Sequence, residues 1–189
     1  TNNPVTNTEF SGSIGLPLSS TDVCIKDDEG KVLATGEVGE LCIKGPQVMK
    51  GYWQKPEETA KVIDADGWLH TGDMARIDEQ GFVYIVDRKK DMILVSGFNV
   101  YPNEIEDVVA AMPGVLEVAA VGVPDREYGQ EILACIVVKP DRTLTRDEVD
   151  GHCLRELGRY KSPRYVRFVD ALPKGPSGKV QRMKLAEGF

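Results

Sequence analysis

The sequence predicts an α+β protein: a β-rich first segment, read as part of a small barrel or sandwich, then a compact β-α-β-β-α-β domain. Three observations carry this. Apolar and polar residues alternate through much of residues 1–87, the pattern of half-buried strands. Two later segments repeat their apolar residues at helical spacing behind N-cap signatures. Between the two regions lies the charge run Asp87-Arg-Lys-Lys-Asp91, flanked by apolar stretches and read as a linker. The expected division is therefore 1–87 and 88–189.

Each element has its own local reason. Thr21-Asp-Val-Cys-Ile-Lys26 alternates and runs into the turn Asp27-Asp-Glu-Gly30, while Gly39–Gly45 and Gly81–Val86 repeat the alternation. Pro56–Val62 begins with a proline and two glutamates, which suit the first turn of a short helix. After the linker, Met92–Val95 reads as a strand and Ser96–Asn99 as a turn. A helix follows with Asn103 at its N-cap and Glu106 completing a capping box; Ile105, Val108, Val109 and Met112 form its apolar face. Strands are expected at Glu117–Val123 and Ile132–Val138. The second helix has Thr145 as N-cap, Glu148 at N3, Leu144 stapled to Val149, and Gly158 as its stop. A strand at Val166–Val169 precedes a Gly/Pro-rich loop carrying Lys179.

The 189 residues suffice for one large or two small domains, with 41% hydrophobic and 28% charged residues. No apolar run is long enough to span a membrane, and the polar opening lacks the pattern of a secretory leader. The four cysteines show no zinc-like spacing and read as reduced core thiols of a cytoplasmic protein. Net charge is −7, but residues 155–189 carry nine Lys/Arg against three Asp/Glu, leaving 14 against 27 in residues 1–154. A basic end could meet nucleic acid or a phosphate-rich small ligand, and the lack of recognition motifs and interleaved aromatics argues against nucleic acid. Gly175-Pro-Ser-Gly-Lys-Val180 is not a phosphate loop, having two residues where that motif needs four and Val after the lysine. His70 and His152 lack metal or nucleophile partners at useful spacing, and no serine sits in a nucleophile elbow.

Three stretches carry a resemblance. Gly67-Trp-Leu-His-Thr-Gly-Asp73, the run from Asp87 through Ser96-Gly-Phe-Asn-Val-Tyr-Pro-Asn-Glu-Ile-Glu106, and Leu172-Pro-Lys-Gly-Pro-Ser-Gly-Lys179 resemble the adenylate-forming enzymes, and among these the bacterial long-chain fatty-acid–CoA ligases. The resemblance implies a fatty acid joined to the α-phosphate of ATP with loss of pyrophosphate, then transferred to the thiol of coenzyme A. It implies that Asp73 accepts hydrogen bonds from both ribose hydroxyls, a task for an acceptor with two oxygens. It makes Arg88 a second nucleotide contact, Lys90 the hinge of a mobile C-terminal domain, and Gly97 part of the pantetheine path. Lys179 becomes the catalytic cation at the attacking carboxylate and α-phosphate. Read as residues alone, Asp73 and Gly97 equally suit turns, Arg88 a solvated linker and Lys179 a solvated tail.

The resemblance further implies that the magnesium ligand, the phosphate loop and the acyl pocket lie upstream of residue 1, so no metal ligand is expected here. The expectation is thus the C-terminal fragment of a long-chain acyl-CoA ligase, inactive alone. The alternatives are a medium-chain or aryl acid–CoA ligase fragment and a non-catalytic nucleotide- or CoA-binding module. The acyl chain length, oligomeric state and peripheral attachment to the inner face of a membrane stay open.

Overall fold

A computed structural model of the chain describes residues 1–4 and 11–189. It divides into two compact units, Thr1–Lys90 and Asp91–Phe189.

The first unit is built on an antiparallel sheet of β1 (Asp22–Lys26), β2 (Gly39–Lys44), β3 (Leu69–Ile77) and β4 (Val83–Arg88), paired in that order. Among the described residues the sheet stays open. Its buried cluster is Ile25, Leu41, Ala75 and Val83, with Ile14, Val23, Leu33, Ile43 and Ile77 packed on it. The expected helix forms as α1 (Pro56–Val62), with Pro at its start and Glu57 and Glu58 in the first turn. β4 runs on through Asp87-Arg88, and a 3₁₀ turn covers Lys89–Asp91. The charge run read as a linker is therefore half strand, because its first two residues still pair with β3.

In the second unit, β5 (Ile93–Val95) and β6 (Phe98–Val100) form a hairpin. The four-residue turn expected at Ser96–Asn99 is shorter: only Ser96 and Gly97 lie between the paired residues Val95 and Phe98. Their φ values of 50° and 85° are the mark of a type I′ turn, whose twist matches the flanking strands. Helix α2 (Pro102–Ala110) starts two residues earlier than expected, with Tyr101 at the N-cap and no side-chain cap. Asn103 does not cap, and Glu106 turns instead toward β7 (Val115–Asp125), where its carboxylate accepts from Ala120 N at 2.7 Å. Pro102 explains the difference, since its fixed φ suits the first helical position and its missing N–H needs no cap.

β7 pairs along its length with β8 (Gly129–Val138); helix α3 (Arg146–Leu157) follows, and β9 (Tyr165–Phe168) pairs parallel to β8. The α3 start is as expected, with Thr145 and Glu148 forming a capping box and Gly158 at the C-cap with φ +78°. A short α4 (Arg182–Leu185), invisible to periodicity at four residues, closes the chain. Helices α2 and α3 pack on one face of the sheet, where Ile105, Val109, Val149 and Cys153 are fully buried beside Ile132 and Ile136. The other face carries Ala119, Val123, Leu133, Cys135, Leu172 and Leu185.

Ile105 sits wholly inside the first of these clusters. Ile105→Ala should lower the unfolding free energy by about 2–5 kcal/mol, whereas Leu154→Ala on the exposed side of α3 should change it by no more than about 0.5 kcal/mol. Urea unfolding of the two variants checks the contrast.

Candidate functional site

Asp73 lies on β3, not in a turn, and a bulge sets its direction. Glu40 pairs with Met74 and Cys42 with His70, so Thr71, Gly72 and Asp73 stand opposite Leu41 alone. Extra residues on one strand bend it and re-aim a side chain. Gly72 supplies the left-handed backbone (φ +72°) that the bend requires. Thr71 Oγ1 donates to Leu41 O at 2.8 Å and accepts from Asp73 N at 3.1 Å, which keeps the distorted backbone satisfied. Across the β3–β4 pair, Asp73 is the register partner of Arg88, whose Nε donates to Asp73 Oδ1 at 2.9 Å. The two predicted nucleotide contacts are thus brought together at one end of the sheet.

Beneath them is a polar network for which the sequence carried no signal beyond residue type. Glu40 on β2 is buried, and its carboxylate accepts from Gly72 N at 3.1 Å and from Lys89 Nζ at 3.1 Å. His70 Nδ1 lies 3.2 Å from Glu40 Oε2 and 3.5 Å from Cys42 Sγ, and its Nε2 lies 3.5 Å from Asp64 Oδ2. Burial opposes ionisation of Glu40, but the hydrogen bonds from Lys89 and His70 win and hold its pKa below the ordinary glutamate value. One buried carboxylate therefore ties the bulge that bears Asp73 to Lys89, beside the predicted hinge. Lys89 also meets Asp28 at 2.9 Å, whereas Lys90 is exposed.

Asp64 closes the network. Its Oδ1 accepts from Trp68 N at 2.9 Å and Asp66 N at 3.0 Å, and its Oδ2 from Lys26 Nζ at 3.0 Å. Burial again works against the charge, yet these donors bring the pKa down to about 2. The Cys42 thiol goes the other way, pushed up to about 12 by burial and the surrounding negative charge. None of the four cysteines is in a disulfide, and Cys42, Cys135 and Cys153 are buried.

In the second unit, Gly97 occupies the tip of the β5–β6 hairpin, and a Cβ built on it would meet nothing within 4 Å. Val95, Ser96 and Phe98 of that hairpin line a cavity of 610 Å³ whose opposite wall includes Tyr160, Arg159 and Arg164. The Phe98 and Tyr160 rings are 5.3 Å apart, an aromatic pair beside two guanidinium groups. Such a lining suits a flat ring, and the guanidinium groups share it with Asp150 and with Glu131, which pairs with Arg164 at 3.6 Å.

Lys179 is exposed on a tight hairpin of its own. Lys174 bridges Val180, Gly175 N donates to Lys179 O at 2.8 Å, and Gly178 N donates to Gly175 O at 2.9 Å. Gly178 has φ +77°, so the chain reverses just before the lysine. The loop expected from composition is thus an ordered turn. His152 Nε2 faces Val108 O at 3.0 Å, joining α3 to α2, a structural role.

Among the described residues no group of three or more His, Cys, Asp and Glu side chains could hold a metal ion. Nor, among them, is any helix long and apolar enough to cross a membrane.

Two known sequence families match the chain on either side of Asp73, Arg88 and Gly97, and Lys179 is the last residue matched. Residues 1–53 match the AMP-binding enzyme family and residues 104–179 the AMP-binding enzyme C-terminal domain. The chain belongs to the adenylate-forming (AMP-binding) enzymes. It is 56% identical over 185 residues to a long-chain-fatty-acid–CoA ligase of Escherichia coli O6:H1, covering 98% of this chain and 33% of that protein. It is 48% identical to a sulfoacetate–CoA ligase of Cupriavidus necator, covering 92% of this chain and 34% of that protein. Among solved structures, ATP-bound MatB from Rhodopseudomonas palustris matches with a TM-score of 0.92 and 40% identity, covering 98% of this chain and 37% of the other. The chain therefore spans about a third of the length of the curated relatives it matches.

The Asp64 network makes an acid-sensitive prediction. A carboxylate whose folded pKa is depressed adds stability above its unfolded pKa of about 3.9 and loses it as pH falls toward the folded value. Between pH 6 and pH 2 the urea midpoint of the first unit should drop further in the wild type than in Asp64→Asn. Equal drops would remove Asp64 from the account.

Proposed function

We propose that this chain is the C-terminal part of an ATP-dependent acid–CoA ligase whose acid is a long-chain fatty acid. In that reading residues 1–87 are the end of a large AMP-binding domain and residues 88–189 a mobile domain turning at Lys90. The observation that carries it is the hairpin presenting Lys179 exposed at its end, just after a left-handed glycine. The fatty-acid assignment is supported by the 56% identity to the Escherichia coli ligase. The 48% identity to a sulfoacetate–CoA ligase supports a second reading, in which the chemistry is the same and the acid is different.

In the first half-reaction a carboxylate oxygen of the acid attacks the α-phosphorus of ATP, and pyrophosphate leaves with its bonding electrons. Negative charge accumulates between two anions, and the Lys179 ammonium offsets it there. Asp73 accepts from the ribose hydroxyls; Arg88 already holds one of its oxygens, so the nucleotide binds by sharing or displacing that contact. In the second half-reaction the thiol of coenzyme A attacks the acyl carbon and AMP leaves. The attacking group is now a thiol at the acyl carbon and no longer a carboxylate at the α-phosphorus, so a domain that can carry Lys179 away suits the sequence of steps. Gly97 borders the thiol's path, with the cavity behind Ser96 and Phe98 taking the nucleotide end of coenzyme A. In this reading ATP comes with magnesium, for which no ligand is assigned in this chain, and the whole enzyme is cytoplasmic, with peripheral attachment to the inner face of the membrane left open.

In the full-length enzyme, Lys179→Ala should slow ATP–pyrophosphate exchange by about 10²-fold or more, the scale for losing one transition-state donor. Thioester formation from supplied acyl-adenylate should be nearly unchanged, and an equal fall in both would make the lysine structural. Gly97→Leu should spare pyrophosphate exchange and block acyl-CoA formation. At φ +85° a leucine is strained by about 1 kcal/mol, so a thermal melt accompanies the assay, with Gly97→Asn as the variant that tolerates this backbone. Normal acyl-CoA formation in a folded Gly97→Leu protein would remove Gly97 from the thiol path.

A further inference from the structure

The hairpin bearing Lys179 has two feet, and both are fastened to the sheet of the second unit. Before it, Leu172 is buried; after it, Val180 and Leu185 pack into the same apolar cluster with Ala119, Val123 and Leu133. Gln181 N donates to Pro173 O at 2.8 Å, closing the neck. Two ion pairs then flank the neck. Lys174 Nζ meets Glu117 Oε1 at 2.6 Å, but both side chains are about two-fifths exposed, so solvent screens the pair.

The second pair is of another kind. The Arg182 guanidinium forks onto Glu106, with Nη1 on Oε1 and Nη2 on Oε2 at 3.2 Å. Nη1 also donates to Ala120 O at 2.6 Å, and Glu106 Oε1 accepts from Ala120 N at 2.7 Å. Nε points toward Asp91 Oδ2 at 3.9 Å. One guanidinium thus joins the base of the hairpin to α2, to the backbone of β7 and to the first residue of the second unit. Both partners of the fork are about four-fifths buried. A planar fork fixes direction as well as distance, which a lysine in the same place would not.

We infer that Arg182 and Glu106 are positioning residues for Lys179: their buried fork locks the hairpin to the second unit, so that the lysine moves with that unit and has no freedom of its own. The inference rests on the adenylation role proposed for Lys179. If the hairpin could swing, the ammonium would be spread over many positions, and misplacement of about 1 Å can cost on the order of 10²-fold in rate.

The test uses full-length enzyme carrying Arg182→Gln, Arg182→Lys or Lys179→Ala, each assayed for pyrophosphate exchange and for thioester formation from supplied acyl-adenylate. Arg182→Gln should lower kcat for exchange by about 10-fold to 10²-fold with KM for ATP unchanged, and leave thioester formation within about twofold. Arg182→Lys keeps the charge without the fork and should fall between it and the wild type; it is also the measured variant if Arg182→Gln does not fold. Equal loss in both half-reactions overturns the inference, since the fork would then only hold the fold together. Unchanged exchange in both Arg182 variants beside a crippled Lys179→Ala also overturns it, while leaving the role of Lys179 standing. Unchanged exchange in Lys179→Ala itself would sink that role, and the positioning with it.

Discussion

Gly72, Gly97 and Gly178 have φ values of +72°, +85° and +77°, a region that side chains with a Cβ rarely enter. Each marks a place where the regular ladder stops and a residue must stand clear of a sheet. At Gly72 the break is a bulge that turns Asp73 toward Arg88; at Gly97 it is the tip of a two-residue hairpin; at Gly178 it is the reversal that exposes Lys179. A sheet satisfies its own backbone and leaves little reach for chemistry, and the residues proposed for the site stand where the ladder is broken. The rigidity around each break is what makes the break usable.

That rigidity is electrostatic as much as apolar. In the first unit the buried Glu40 carboxylate takes the orphaned N–H of Gly72 and the ammonium of Lys89 together. Left alone, that carboxylate would be expensive to bury; surrounded by donors, it stays ionised and fixes two segments at once. Asp64 repeats the arrangement with Trp68, Asp66 and Lys26. In the second unit the Glu106–Arg182 fork plays the corresponding part.

The charge asymmetry along the chain takes on a different meaning in this light. At least four cations of the basic end, Lys161, Arg164, Lys174 and Arg182, pair with Glu104, Glu131, Glu117 and Glu106 of the preceding elements. Much of the positive charge is therefore spent on internal pairing with the acidic region and is not a free surface for a polyanion. What lies open beside Gly97 is narrower, a cavity lined by Arg159 beside the tilted Phe98 and Tyr160 rings, with Arg164 already paired to Glu131.

By itself the sequence determined the α+β class, the helices at 56–62 and near 146–157, the Thr145–Glu148 capping box and most strands, since these follow from local periodicity and capping chemistry. It also marked Asp73, Arg88, Gly97 and Lys179 through short motifs. Tertiary structure decided the rest, because the deciding contacts join residues far apart in sequence. Asn103 looked like a cap, yet Pro102 took the helix start, and Glu106 was drawn to Ala120 and Arg182, the latter 76 residues away. Glu40 and His70 read as ordinary polar strand positions until burial set them together under the bulge. α4 is too short for periodicity to register, and it exists because Leu185 is buried against the sheet. Local pattern reports which face of an element is apolar; only packing decides which polar groups are buried together and must therefore satisfy one another.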